Sequence, residues 1–141
     1  MIAPFRNHLP VKIRFGDGVA ADLAPVLADE GATRPFLIMD RGLDSFVPGV
    51  AAAIAPLPHA VRFEKDAGEP TAELVEEAAA ALEQSGCDAV VALGGGSSMD
   101  TAKAARLVAA QGGRVGLEST PGRGATFWFE LPAAGADPSS A

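Results

Sequence analysis

Residues 88–103, Asp-Ala-Val-Val-Ala-Leu-Gly-Gly-Gly-Ser-Ser-Met-Asp-Thr-Ala-Lys, constrain this fold more than any other stretch, because an uncharged apolar run passes through three glycines into a helix start. The run from Ala89 to Leu93 is too short and too evenly apolar for an amphipathic helix, and it predicts a strand covered on both faces, as in a parallel sheet. Three successive glycines let the backbone turn sharply and come close to a ligand. Ser97 and Ser98 are expected to cap the helix that follows, whose free N–H groups and positive dipole end attract an anion such as a pyrophosphate. The stretch Gly94-Gly95-Gly96-Ser97-Ser98-Met99 lacks the third glycine of the fingerprint G-x-G-x-x-G and does not match the Walker pattern. Two readings therefore stay open from these residues alone: a phosphate cradle, or a glycine corner that serves close packing of helix on sheet.

Upstream, strand and helix patterns alternate. Val11, Ile13 and Phe15 interleave with Lys12 and Arg14, predicting a half-buried strand that ends at Gly16-Asp17-Gly18. Leu23, Val26 and Leu27 recur at helical spacing, and Pro25 fits only in a first turn, so a helix is expected from a cap near Asp22 to a stop at Gly31. Phe36 to Met39 predicts a second strand ending in Asp40. An Ala-rich helix over Leu43 to Ala55 follows, opposed in its first half by Pro48 and Gly49. Val61 and Phe63 predict a third strand reaching Asp66. From Thr71 to Ser85, Leu74, Val75, Ala78, Ala79 and Leu82 line one helical face while Glu73, Glu76, Glu77 and Glu83 stay in water. This alternation predicts an α/β fold, a parallel sheet with helices on both faces.

The residues Gly-Gly-Gly-Ser-Ser-Met-Asp-Thr-Ala-Lys (94–103) resemble the signature of the iron-containing (group III) alcohol dehydrogenases. The resemblance extends to Val11-Lys-Ile-Arg-Phe-Gly-Asp-Gly18, Arg34-Pro-Phe-Leu-Ile-Met-Asp40 and Gly68-Glu-Pro70, and covers about residues 9–107. It implies a Rossmann-like sheet, here truncated, and an NAD cofactor. By resemblance, Asp40 accepts the adenosine ribose hydroxyls and favours NAD over NADP; the chemistry of Asp40 alone suits a turn aspartate equally well. Gly94, Gly95, Gly96 and Ser97 are the expected pyrophosphate contacts. Asp100 falls toward the nicotinamide side without a catalytic step, close enough to Lys103 for an ordinary surface ion pair. The family's Fe2+ or Zn2+ is held by an Asp and three His of a helical second domain to which nothing in this chain corresponds, so no catalytic or metal-ligating residue is assigned.

The periodicity then switches to two. Val115 and Leu117, and then Phe127, Phe129 and Leu131, alternate with more polar positions around Thr120-Pro-Gly-Arg-Gly124, predicting a C-terminal β-hairpin with one apolar face. Gly112 to Pro132, with its Gly122-Arg-Gly-Ala-Thr-Phe127 and Leu-Pro ending, resembles the end of a sensor histidine kinase ATPase domain. The chain is thus expected to divide into a dinucleotide-binding part (1–107), a kinase-like hairpin (108–132) and a disordered tail (133–141), joined between Arg106 and Gln111. Three functions compete: the NAD-binding part of an alcohol dehydrogenase, inactive alone; a histidine kinase fragment; and a non-catalytic chimeric piece that self-associates through its exposed sheet or hairpin.

A formal charge of −7 argues against nucleic acid or anionic membrane partners, which want clustered Lys and Arg. No apolar run reaches the roughly twenty residues of a membrane span, and the start lacks a signal-peptide layout, so a cytoplasmic location is expected. Cys87 is the single cysteine, which excludes an internal disulfide and suits packing at the base of the central strand. His8 and His59 are the two histidines and form no ligand-spaced cluster.

Overall fold

A computed structural model describes residues 14–110 in full and the backbone of 111, 114–120 and 124–130. Strand β1 (Pro35–Asp40) is the apolar run of the second predicted strand, and it lies at the centre of a three-stranded parallel sheet between β2 (Val61–Lys65) and β3 (Ala89–Leu93). Parallel neighbours on both sides require crossover connections, and the helices these contain cover both faces. The side chains of Phe36, Leu37, Ile38 and Met39 are accordingly all but inaccessible to water.

The two faces of β1 have different covers. Phe36 and Ile38 point to the side where α4 (Ala72–Ser85) and α5 (Gly96–Gln111) bury Val75, Ala78, Ala79, Leu82, Ala102, Ala105 and Val108. The small alanines let the two helices lie close together, and Phe63 of β2 sets its ring 6.0 Å from that of Phe36. Leu37 and Met39 point to the opposite face, where the buried helical side chains are Leu27 of α1 (Leu23–Asp29) and Ala53 and Ile54 of α3 (Pro48–Ile54).

Local chemistry sets the boundaries. Thr71 caps α4 by accepting the Leu74 N–H at 3.2 Å, and Gly86 ends it in the left-handed region, a conformation that costs glycine nothing. The expected Leu43–Ala55 helix is two helices, α2 (Leu43–Phe46) and α3, because the residue before a proline is pushed out of the helical region: Val47 is extended and Pro48 opens the second helix. Asp22 precedes α1 without a side-chain cap bond and faces Arg14 at 3.3 Å instead.

Three expectations change. β3 is half-buried rather than fully covered, because it is the edge of the sheet, paired with β1 only among the described strands. The strand expected over 11–15 lies mostly outside the described residues; Arg14 and Phe15 carry no strand, and Phe15, expected on a buried face, is fully exposed. Ser97 and Ser98 lie inside the first turn of α5, which starts at Gly96, so neither is its cap.

Beyond α5, β4 (Arg114–Thr120) and β5 (Gly124–Glu130) pair antiparallel, from Arg114 opposite Glu130 to Thr120 opposite Gly124, in a sheet separate from the parallel one. The tail expected over 133–141 lies outside the described residues.

The amino ends of β1 and β3 are tied by one side chain. The Asp88 carboxylate accepts from the Thr33 N–H (2.8 Å), the Thr33 hydroxyl (2.7 Å) and the Arg34 N–H (2.9 Å), while its own N–H donates to the Arg34 carbonyl at 3.1 Å. These bonds favour the charged form, led by that from the Thr33 side chain, and lower the Asp88 pKa to about 2. The folded-state value lies below the ordinary one, so the stabilisation is complete above about pH 4 and is lost as pH falls through about 2. Asp88→Asn is expected to lower Tm at neutral pH, with the gap to the unsubstituted chain closing between pH 4 and pH 2; thermal melts across that range check it.

Candidate functional site

The strand order places β2 on one side of β1 and β3 on the other: the first crossover runs from β1 to β2, the second returns past β1 to β3, and the direction of connection reverses between β1 and β3. In open α/β sheets a ligand crevice forms at such a point, outside the carboxyl ends of the strands. Asp40 ends β1 and Gly94 follows the end of β3 at this place. The structure brings them together: a Cβ built on Gly94 would lie 3.7 Å from the Asp40 Oδ2 atom.

Gly94 is the glycine that the turn requires. Its φ of 134° is a conformation side chains rarely adopt, and an added Cβ would stand 2.9 Å from the Ser98 hydroxyl. Gly95 and Gly96 are exposed, and a Cβ on either would meet nothing within 4 Å. The open start of α5 therefore faces free space, with the N–H groups of its first turn lacking intrahelical acceptors. This 16-residue helix directs the positive end of its dipole there. The residues fit a pyrophosphate: a glycine cradle that side chains would fill, in front of amide donors.

Two serines brace the cradle instead of capping it. The Ser97 hydroxyl donates to the Gly68 carbonyl, joining α5 to the turn after β2, and the Ser98 hydroxyl donates to Asp40 Oδ1 at 3.4 Å. Thr101 fixes the same turn by donating to the Ser97 carbonyl at 2.8 Å.

The residue that sequence reasoning missed is Lys65. Parallel register sets it opposite Asp40, and its ammonium donates to Asp40 Oδ1 at 2.6 Å and to the Asp66 carbonyl at 3.3 Å. The Lys65 side chain is wholly inaccessible, whereas that of Asp40 keeps 32% exposure. A signal existed: Lys65 follows Val61 and Phe63 at period two, on the strand face that packs against the core, and a cation there requires an acid partner. Removing one partner of a buried pair costs roughly 3–5 kcal/mol, and the partial exposure of Asp40 puts this pair below that range.

Other charges lie further out. Arg41 extends to Asp66 at 3.0 Å and Glu64 at 3.8 Å, and the hydrogen bond it donates to Asp66 raises its pKa. Asp100 and Lys103 make an exposed pair at 3.4 Å on the helix surface, as their spacing allows. His59 is exposed and His8 lies outside the described residues. Cys87 is half-buried against the main core cluster. Among the described residues no group of three or more His, Cys, Asp or Glu gathers to hold a metal ion, and no helix is long and apolar enough to cross a membrane.

Comparison with known proteins follows the same outline. The family model for iron-containing alcohol dehydrogenase matches residues 10–127, past the joint expected near 107. The chain is 35% identical over 113 residues to the NAD-dependent methanol dehydrogenase of Bacillus methanolicus, covering 76% of this chain and 29% of that protein. The solved archaeal halo-thermophilic Red Sea brine pool alcohol dehydrogenase ADH/D1 superposes with a TM-score of 0.66 at 32% identity, over 77% of this chain and 28% of that one. A separate similarity, 52% identity over 46 residues, links 33% of the chain to 5% of the sensor histidine kinase AruS of Pseudomonas aeruginosa. The chain thus spans under a third of each of these two dehydrogenases.

Gly94→Ala is expected to destabilise the fold by on the order of 1–3 kcal/mol, since it combines backbone strain with the Ser98 clash. Urea denaturation measures it, with Gly95→Ala, which meets no atom, as the near-neutral control.

Proposed function

This chain belongs to the iron-containing alcohol dehydrogenase family, and from that premise we propose that it supplies the dinucleotide-binding part of such an enzyme and takes NAD at the carboxyl edge of β1 and β3. The observation that carries the reading is the placement of the Asp40 carboxylate beside the Gly94 turn, with Gly95 and Gly96 open in front of α5. The N–H groups at the start of α5 donate to the pyrophosphate, which Gly94, Gly95, Gly96 and Ser97 admit at close range. Asp40 Oδ2, the oxygen not engaged by Lys65, accepts from an adenosine ribose hydroxyl. A carboxylate there disfavours a 2′-phosphate, which makes NAD the preferred dinucleotide. Asp100, on the outer surface of α5, lies toward the nicotinamide end of the bound dinucleotide.

When bound, NAD supplies the hydride acceptor for alcohol oxidation; this chain holds and orients it. The iron of the family's name does not fit the described residues, which offer no ligand cluster. The 141-residue chain purified alone is expected to form no NADH from short primary alcohols, with or without added iron or zinc. Metal-dependent turnover in that assay would show that the site is complete without the remainder of the relatives' length.

A second reading, a kinase-derived piece fused between Arg106 and Gln111 and carrying β4 and β5 as its hairpin, is supported by the likeness to AruS. It predicts ATP binding where the first predicts NAD. The outer edge of β3 and the β4–β5 pair are the surfaces for self-association on either reading, with concentration-dependent mass as the readout.

Calorimetric titration separates these outcomes: weak NAD binding, weaker NADP binding and no ATP binding are expected. Gly95→Ala should leave stability near that of the unsubstituted chain and weaken NAD about tenfold or more, because its methyl group occupies the cradle. Unchanged NAD affinity in that variant would remove the pyrophosphate assignment.

A further inference from the structure

Lys65 stands out among the buried groups, because a lysine wholly shielded from water is rare and this one contacts the acid at the crevice rather than the crevice itself. We propose that Lys65 is the positioning residue that sets the degree of discrimination between NAD and NADP. This rests on the reading of Asp40 as the ribose acid. Lys65 cannot touch a ligand, since its side chain has no exposure. It acts through Asp40 in two ways.

The first is geometric. With Oδ1 held by the Lys65 ammonium at 2.6 Å and approached by the Ser98 hydroxyl at 3.4 Å, the carboxylate is fixed and Oδ2 is left as its free acceptor. One ribose hydroxyl, rather than both, is met by this acid.

The second is electrostatic. A lone carboxylate repels a 2′-phosphate, which carries close to two negative charges near neutral pH. Here the buried ammonium offsets that charge at contact distance and is little screened by solvent. The other charges nearby do not restore the repulsion: Asp66 is 87% exposed and paired with Arg41, and Glu64 lies 3.8 Å from the same guanidinium. The preference for NAD is therefore shallow, set by a neutralised acid rather than a bare one.

The test is the ratio of the dissociation constants of NADP and NAD, measured by calorimetry on the full chain. A loss of folding or of site geometry alone weakens both dinucleotides together and leaves the ratio unmoved. In Lys65→Met the ratio is expected to rise about tenfold, the effect of one partly shielded charge, and Lys65→Arg should return it toward the unsubstituted value. Asp40→Asn keeps an amide oxygen for Lys65 to donate to and leaves the ammonium uncompensated, so NADP should become the tighter ligand; this second variant carries the test if Lys65→Met does not fold. An unchanged ratio in Lys65→Met, or an Asp40→Asn variant that still prefers NAD, overturns the role of Lys65. Asp40→Asn with unaltered affinity for both ligands, or an unsubstituted chain that binds neither at millimolar concentration, overturns the ribose reading of Asp40 and this inference with it.

Discussion

Burial of Phe36, Leu37, Ile38 and Met39 at the centre of a parallel sheet is the constraint on which the rest of the structure depends. A strand that is apolar on both faces must have cover on both, and parallel neighbours can be reached only through crossovers that bring helices with them. Once β1 is central, β2 and β3 must flank it and α4 and α5 must share one face. The polar residue at the end of that strand, Asp40, is then delivered to the carboxyl edge beside the glycine turn after β3. The candidate site is a by-product of core packing in this sense: the burial that stabilises the sheet also fixes the position of its one polar terminus.

Much of this was legible in the residues. The apolar runs marked β1, β2 and β3, and the spacing of Val75, Ala78, Ala79 and Leu82 marked the buried face of α4, whereas Pro48 and Gly49 only weakened the first half of a single expected helix that is in fact α2 and α3. Asp40 and the glycines could be singled out because family resemblance supplied their roles; their juxtaposition followed only from strand order. What stayed hidden was relational. β3 has the composition of a fully covered strand but sits at an edge, and composition does not tell which neighbour is present. Ser97 and Ser98 have the chemistry of caps, yet the helix starts a residue early and turns their hydroxyls to Gly68 and Asp40. Lys65 stays hidden because a charged residue at a strand end reads as solvated, and only the β1–β2 register reveals the carboxylate opposite.

The two similarities found for the chain differ in kind. The dehydrogenase likeness extends over three quarters of the chain and is matched by a common backbone arrangement. The kinase likeness is higher in identity but confined to 46 residues. β4 and β5 share no hydrogen-bonded ladder with the parallel sheet, so backbone pairing places no demand on their descent, whereas each strand around β1 must keep register with a neighbour.

The Asp88 tie makes the two ends of the sheet unequal. At the amino end one carboxylate holds both β1 and the start of β3 through the backbone of Thr33 and Arg34. At the far end the two strands stay paired up to Met39 opposite Leu93, and the side-chain bond that reaches Asp40 from beyond the Gly94 turn is the long one from Ser98 of α5. Beyond the shared ladder, side-chain ties are therefore dense at the amino end and sparse at the carboxyl end, where Asp40 and the glycine turn meet. A ligand bridging Asp40 to the start of α5 would supply at the carboxyl edge the kind of tie that Asp88 already makes at the amino edge.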